Sequence, residues 1–187
     1  MNLKTKTVLL LAMLFAVCVG YGQDKSNPYG LEFPLDKEGN VEYKKVVNLP
    51  DTKKSELRKR CALWFAKEFK SSNDVIQNNS EDNILGKGFT KIYINTGFEK
   101  LPVDVHFTIS VDFKENKYRY RINNITYQAQ TGPKVSIQQY QKRIAKKKKR
   151  GKKVFGYTKQ YVEKTNKEIH SMCMSLEKEM STKDDDF

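Results

Sequence analysis

Residues 103 to 113 alternate without a break. Val103, Val105, Phe107, Ile109, Val111 and Phe113 take the odd positions, and Asp104, His106, Thr108, Ser110 and Asp112 separate them. Successive side chains of a strand point to opposite faces, so this segment has one apolar and one polar face. Lys114-Glu115-Asn116-Lys117 then predicts a tight turn, with Asn116 tolerating a positive φ, and 117–128 predicts the return strand. A two-residue turn sets Phe113 opposite Tyr118, Asp112 opposite Arg119 and Val111 opposite Tyr120. Apolar meets apolar on one face and opposite charges meet on the other. Ile125 and Tyr127 fall on the other parity from Tyr118, Tyr120 and Ile122, which predicts a bulge near Asn123-Asn124. A long hairpin with one apolar face must be covered.

The cover is visible on both sides of it in the sequence. After Pro50-Asp51-Thr52, residues 53–70 place Leu57, Cys61, Trp64, Phe65 and Phe69 at three- and four-residue steps, the stripe of an amphipathic helix. Near the C-terminus, 158–180 repeats the pattern with Tyr161, Val162, Thr165, Ile169, Met172, Cys173, Leu176 and Met180. Further strands are predicted at 41–48, after the Gly39-Asn40 turn, and at 84–95, where Gly86 and Gly88 suggest a bulge or a close backbone approach. Residues 71–83 read as polar and turn-rich, and Ile137, Tyr140 and Ile144 hint at a short helix. The order strand, helix, three strands, helix predicts an α+β fold: a two-layer antiparallel sheet with helices on one face. It would form one domain over 39–180, with a basic insert at 145–153, a linker at 23–38 that includes an irregular lead-in strand around Leu31 to Phe33, and an acidic tail at 181–187.

The strand VEYKKVV, the helix SELRKRCALWFAKEF, the glycine-bearing strand ILGKGFTKIYI and the hairpin VHFTISVDFKENKYRYRINNI together resemble a known family. It is the group of secreted Bacteroidetes proteins called domain of unknown function 4468, which has a TATA-binding-protein-like fold. The resemblance covers residues 39 to about 128 and rests on spacing around Trp64-Phe65 and Tyr118-Arg119-Tyr120. It implies the fold and a secreted life, and no activity. A TATA-binding-protein-like shape suggests DNA, but fold does not carry function. Asp104 and Asp112 on the polar face of the hairpin would oppose phosphate, with Arg119 and Arg121 compensating in part, so nucleic acid is not the expected partner.

The first 22 residues have a different logic. Lys4 and Lys6 precede an apolar run from Val8 to Val19, and Gly20 and Gly22 put small residues before Gln23. This is the layout of a secretory signal peptide cleaved after Gly22. Its apolar core of ~12 residues is too short for a permanent bilayer span. Lipidation at Cys18 is an alternative, weakened by Val17 in the preceding position, and an uncleaved anchor is another. The reading predicts an exported protein of the periplasm, outer membrane or medium. No other run is apolar and long enough to span a membrane. Export leaves Cys61 and Cys173, both on apolar helical faces; two buried thiols are the expectation, and one disulfide between them is the alternative.

The net charge of +13 falls to +11 once Lys4 and Lys6 are removed. Lys146, Lys147, Lys148, Lys149, Arg150, Lys152 and Lys153 supply seven cations in eight residues and are the candidate contact site for an anionic partner. Outside the cytoplasm such partners are anionic lipid, lipopolysaccharide, acidic polysaccharide or an envelope protein. The run holds no aromatic residue for stacking on bases.

Catalytic and cofactor motifs are missing: no HExxH, paired CxxC, GxSxG or phosphate loop occurs. Gly86-Lys87-Gly88 lacks the rest of a phosphate cradle, and Ser175 with Lys178 lacks the companion motifs of serine acyl-enzymes. His106 has only Asp104 within reach on its strand face, because Asp112 lies roughly 20 Å further along. That is too few ligands for a metal. His170 has no visible partner. The sequence therefore predicts an exported envelope protein that binds an anionic component or partner protein, with no cofactor and no catalytic role. The alternative is a structural accessory of an envelope assembly, and a hydrolytic enzyme comes third.

Overall fold

The computed structural model describes residues 32–69, 75–151 and 156–182. The expected signal peptide, most of the expected linker, Lys152, Lys153 and the end of the tail lie outside the described residues. The elements in chain order are β1 (Tyr43–Asn48), α1 (Lys54–Glu68), β2 (Ile76–Asn79), β3 (Asn83–Asn95), β4 (Lys100–Lys114), β5 (Lys117–Ala129), β6 (Val135–Ser136), α2 (Ile137–Lys149) and α3 (Gly156–Ser181). The sheet is antiparallel in the order β1-β5-β4-β3-β2, with β6 on the far end of β5.

The hairpin has the expected register. Phe113 faces Tyr118, Asp112 faces Arg119 and Val111 faces Tyr120. Asn116 takes φ 62° in the turn. The register shifts between His106 and Thr108, opposite Asn124, whose φ is 52°. That bulge returns Ile125 and Tyr127 to the apolar face, where both are buried. The tip of the hairpin is tied to the β1–α1 connection. Asn116 donates its N–H to Thr52 O at 3.0 Å, its carbonyl accepts from Leu49 N–H at 2.8 Å, and its side-chain Oδ1 accepts from Thr52 N–H at 3.2 Å.

α1 buries Leu57, Cys61, Trp64 and Phe65 against the sheet, as its stripe requires. Phe65 and Phe69 lie directly on β3. A Cβ at Gly86 would sit 2.6 Å from Phe65, and one at Gly88 2.7 Å from Phe69. The two glycines thus serve a close approach of helix to strand. The register irregularity lies across from them, on β2. α3 runs along α1 and across β3, burying Val162, Thr165, Ile169, Met172, Cys173, Leu176 and Met180. Trp64 donates its indole N–H to Ser175 Oγ at 3.1 Å, and Ser175 donates to Glu68 at 3.0 Å.

Four features differ from the sequence reading. Residues 76–79 form an edge strand, although only Ile76 of the four is apolar. β6 is a second unpredicted strand, two residues long. Of the lead-in expected around Leu31 to Phe33, Leu31 lies outside the described residues and Phe33 is buried in the core, while the bridge forms further on, between Leu35 and Val41. The short helix hinted at by Ile137 and Tyr140 continues to Lys149, so the first four lysines of the basic run are helical rather than part of a loop.

Candidate functional site

Ile137, Tyr140 and Ile144 recur at three and four residues and hold α2 to the body: Ile137 is fully buried, and the other two pack against the core from its margin. Tyr140 stacks at 5.4 Å from Tyr127 of β5 and 4.8 Å from Tyr161 of α3. Beyond this seam α2 and the first turn of α3 diverge, leaving a cleft of about 390 Å³. Arg143, Lys146, Lys147 and Arg150 line it from α2 and the turn that follows, together with Tyr140 and Ile144; Tyr157 and Thr158 line it from α3. The cations fall at i, i+3, i+4 and i+7, which is one helical face. They crowd the C-terminal end of α2, where the helix dipole favours positive charge. Among the described residues no carboxylate lines the cleft.

Burial pushes the Tyr140 phenol well above its ordinary pKa, with a hydrogen bond to Thr158 and the charge of Arg143 acting in the opposite sense. The cleft therefore offers positive charge, neutral hydroxyls and an aromatic wall. Such a lining suits an anion with an apolar or ring-bearing body.

Of the residues singled out in the basic run, Lys146, Lys147 and Arg150 are brought together at the cleft. Lys149 is exposed outside the lining, Lys148 lies on the same helix, and Lys152 and Lys153 fall outside the described residues. Arg143 shares a helical face with Lys146 and Lys147, a spacing readable in sequence once the helix is extended. The contribution of Tyr157 and Thr158 depends on the return of α3 and carries no local signal.

On the opposite, open face of the sheet the two carboxylates are already neutralised. Asp112 accepts two hydrogen bonds from Arg119, at 2.9 and 2.6 Å, and lies 3.6 Å from Arg121; Asp104 lies 3.4 Å from Lys91. This corrects the electrostatic argument drawn from Asp104 and Asp112, because β3 brings a lysine that the hairpin alone does not show. His106 stacks on Phe89 with ring centres 5.5 Å apart. Its pKa is lowered by burial and by the charge of Lys134, with Asp104 acting in the opposite direction. Among the described residues no three His, Cys, Asp or Glu side chains gather as a metal-holding group. Ser175 is committed to Trp64 and Glu68, and His170 is exposed. Cys61 and Cys173 are buried and free, and burial raises both thiols, Cys173 to about 11.

Residues 43–128, β1 through β5, match the family model described as domain of unknown function (DUF4468) with TBP-like fold. That stretch is a domain of this family. The α2–α3 cleft lies C-terminal to it. A crystal structure of a DUF4468 family protein from Bacteroides ovatus superposes with a TM-score of 0.66 at 16% identity, covering 88% of this chain and 99% of that one. A TBP-like protein from Parabacteroides distasonis superposes with a TM-score of 0.59 at 15% identity, covering 80% of this chain and 97% of that one. At such identities the likeness is one of fold. No curated protein matches the sequence.

Proposed function

We propose that this protein is an exported binding module of the cell envelope whose α2–α3 cleft takes an anionic envelope component, a phosphate-bearing lipid or lipopolysaccharide group, or an acidic segment of a partner protein. The observation that carries this reading is the cleft itself: four cations and two tyrosines around about 390 Å³, with no carboxylate among the described lining residues. The signal-like layout of residues 1–22 supports export. The four cations and the aromatic wall favour a binding role.

Flotation with vesicles of anionic phospholipid, against vesicles of phosphatidylcholine, tests it. Each cation near an anionic surface contributes roughly 1 kcal/mol, so the triple variant Arg143→Gln, Lys146→Gln, Arg150→Gln should bind on the order of a hundredfold more weakly. Added salt should weaken the wild type in the same direction. Equal flotation of the variant and wild type sinks the cleft as the binding site. Recovery of the chain from its own envelope fraction with a mass that begins at Gln23 supports export, and an unprocessed 21.8 kDa chain overturns it.

A further inference from the structure

The sheet face turned away from the helices carries a second surface, made of different residues from the cleft. Phe89 and Tyr93 of β3 both point to this side and are 55% and 51% exposed. Four residues apart on a strand, they stand ~13 Å from each other. Lys87 and Lys91 share their strand and parity, and Lys134, near enough for its charge to act on His106, adds a third cation. His106 backs the Phe89 ring. The nearby carboxylate, Asp104, is engaged by Lys91. Beside the rings runs a row of neutral hydrogen-bonding side chains: Thr126 pairs across from His106, and Thr108 faces Asn123. Each ring keeps about half its surface open on this face, Phe89 with His106 against it, and their placement among cations and neutral hydrogen-bonding groups suits a ligand.

We infer that this face binds an acidic glycan: an extended chain of sugar rings whose apolar faces lie on Phe89 and Tyr93 and whose carboxylates meet Lys87 and Lys134, while Lys91 holds Asp104. The positive charge fits a polyanion. The choice of a glycan over single-stranded nucleic acid rests on Thr108, Asn123 and Thr126: sequence-tolerant binding of a nucleic-acid strand needs only stacking and cations, whereas every ring of a glycan brings hydroxyls that such a row can meet. The lowered pKa of His106 keeps its imidazole neutral near neutral pH, which adds a hydrogen-bonding group to that row. The inference does not depend on the α2–α3 cleft.

Calorimetric titration of the exported chain with polygalacturonate oligomers tests it. Wild type should show saturable binding. Phe89→Ala and Tyr93→Ala should each weaken it about tenfold, with the thermal midpoint unchanged. Lys87→Gln should weaken it in the same direction and steepen nothing in salt. The triple cleft variant should bind the glycan as wild type does, so loss of vesicle binding with retained glycan binding sinks neither site. No saturable binding, or binding indifferent to Phe89 and Tyr93, overturns the inference. Loss of glycan binding in the triple cleft variant assigns the ligand to the cleft and also overturns it. Tighter, Phe89-dependent binding of oligothymidylate identifies a nucleic-acid surface and overturns it as well.

Discussion

Two aromatic clusters join helices to sheet, and they are built from different residues. Under α1, Trp64 and Phe65 meet edge-on at 5.0 Å, Phe69 packs at 5.8 Å from Trp64, and Phe107 of β4 completes the group at 6.3 Å from Phe69. At α2 the group is Tyr127, Tyr140 and Tyr161, with centres 4.8 to 5.4 Å apart. The first cluster is mostly hydrocarbon and its one polar atom, the Trp64 indole N–H, has a partner in Ser175. The second carries three hydroxyls, of which the Tyr127 hydroxyl is 3.0 Å from Thr165 Oγ1. Tyr140 also borders open space, and α2 has a cleft on each side. The basic cleft lies on one side, and a second cleft of about 300 Å³, bounded by Phe33, Leu35 and Val162 among others, lies on the other. Ring stacking alone is similar in the two places. What differs is how far the surroundings are closed, and a helix between two clefts is free to serve a ligand at small cost to the fold.

Truncating each cluster sets the comparison at risk. Trp64→Ala should cost about 3–5 kcal/mol in urea unfolding, because a fully enclosed indole leaves a cavity that its neighbours cannot close, and its hydrogen bond to Ser175 is lost. Tyr140→Ala should cost about 2 kcal/mol or less, since the site is already open to water. Its effect should appear as faster hydrogen exchange over 137–149 while the strands stay protected. A global loss equal to that of Trp64→Ala would mean that α2 is part of the core and would end the distinction.

A smaller effect comes from alkali. Burial raises the pKa of Tyr127, Tyr140 and Tyr161 above their ordinary value of 10.0. An acid whose folded pKa is raised stabilises the fold fully below its unfolded pKa, and that contribution is lost as pH climbs past it. Unfolding midpoints should therefore fall as pH rises above about 10. Tyr140→Phe should flatten the fall measurably, while Trp64→Phe should leave its pH dependence as it is.

The central hairpin was legible because two independent signals agree there, apolar alternation and the pairing of Asp112 with Arg119. α1 and α3 were legible because each must bury a long stripe. β2 was not, since Ile-Gln-Asn-Asn offers no alternation and gains its place by pairing with β3. β6 was too short to carry a period. The C-terminal half of α2 was hidden because consecutive lysines read as a solvated loop by charge, although lysine is a good helix former and Ile137, Tyr140 and Ile144 anchor the preceding turns. Three of the seven basic residues proposed from sequence, Lys146, Lys147 and Arg150, line the cleft. The wall supplied by Tyr157 and Thr158 needed the third dimension. So did the pairing of Lys91 with Asp104, which joins two strands whose register cannot be read from either alone.

The clasp around Asn116 governs where this chain can be lengthened. The Glu115-Asn116 turn has the look of a permissive insertion point, short, polar and at the far end of a hairpin. Yet three hydrogen bonds tie Asn116 to Leu49 and Thr52, and Glu115 accepts another from Lys54 N–H at 3.2 Å. An epitope or fluorescent domain spliced there would detach the start of α1 from the sheet. The turn at the other end of β4 is self-contained: Thr96 and Glu99 bond to each other, and Phe98 projects fully into solvent. A tag belongs in that turn, where the chain can be interrupted without cutting a tie to the rest of the fold.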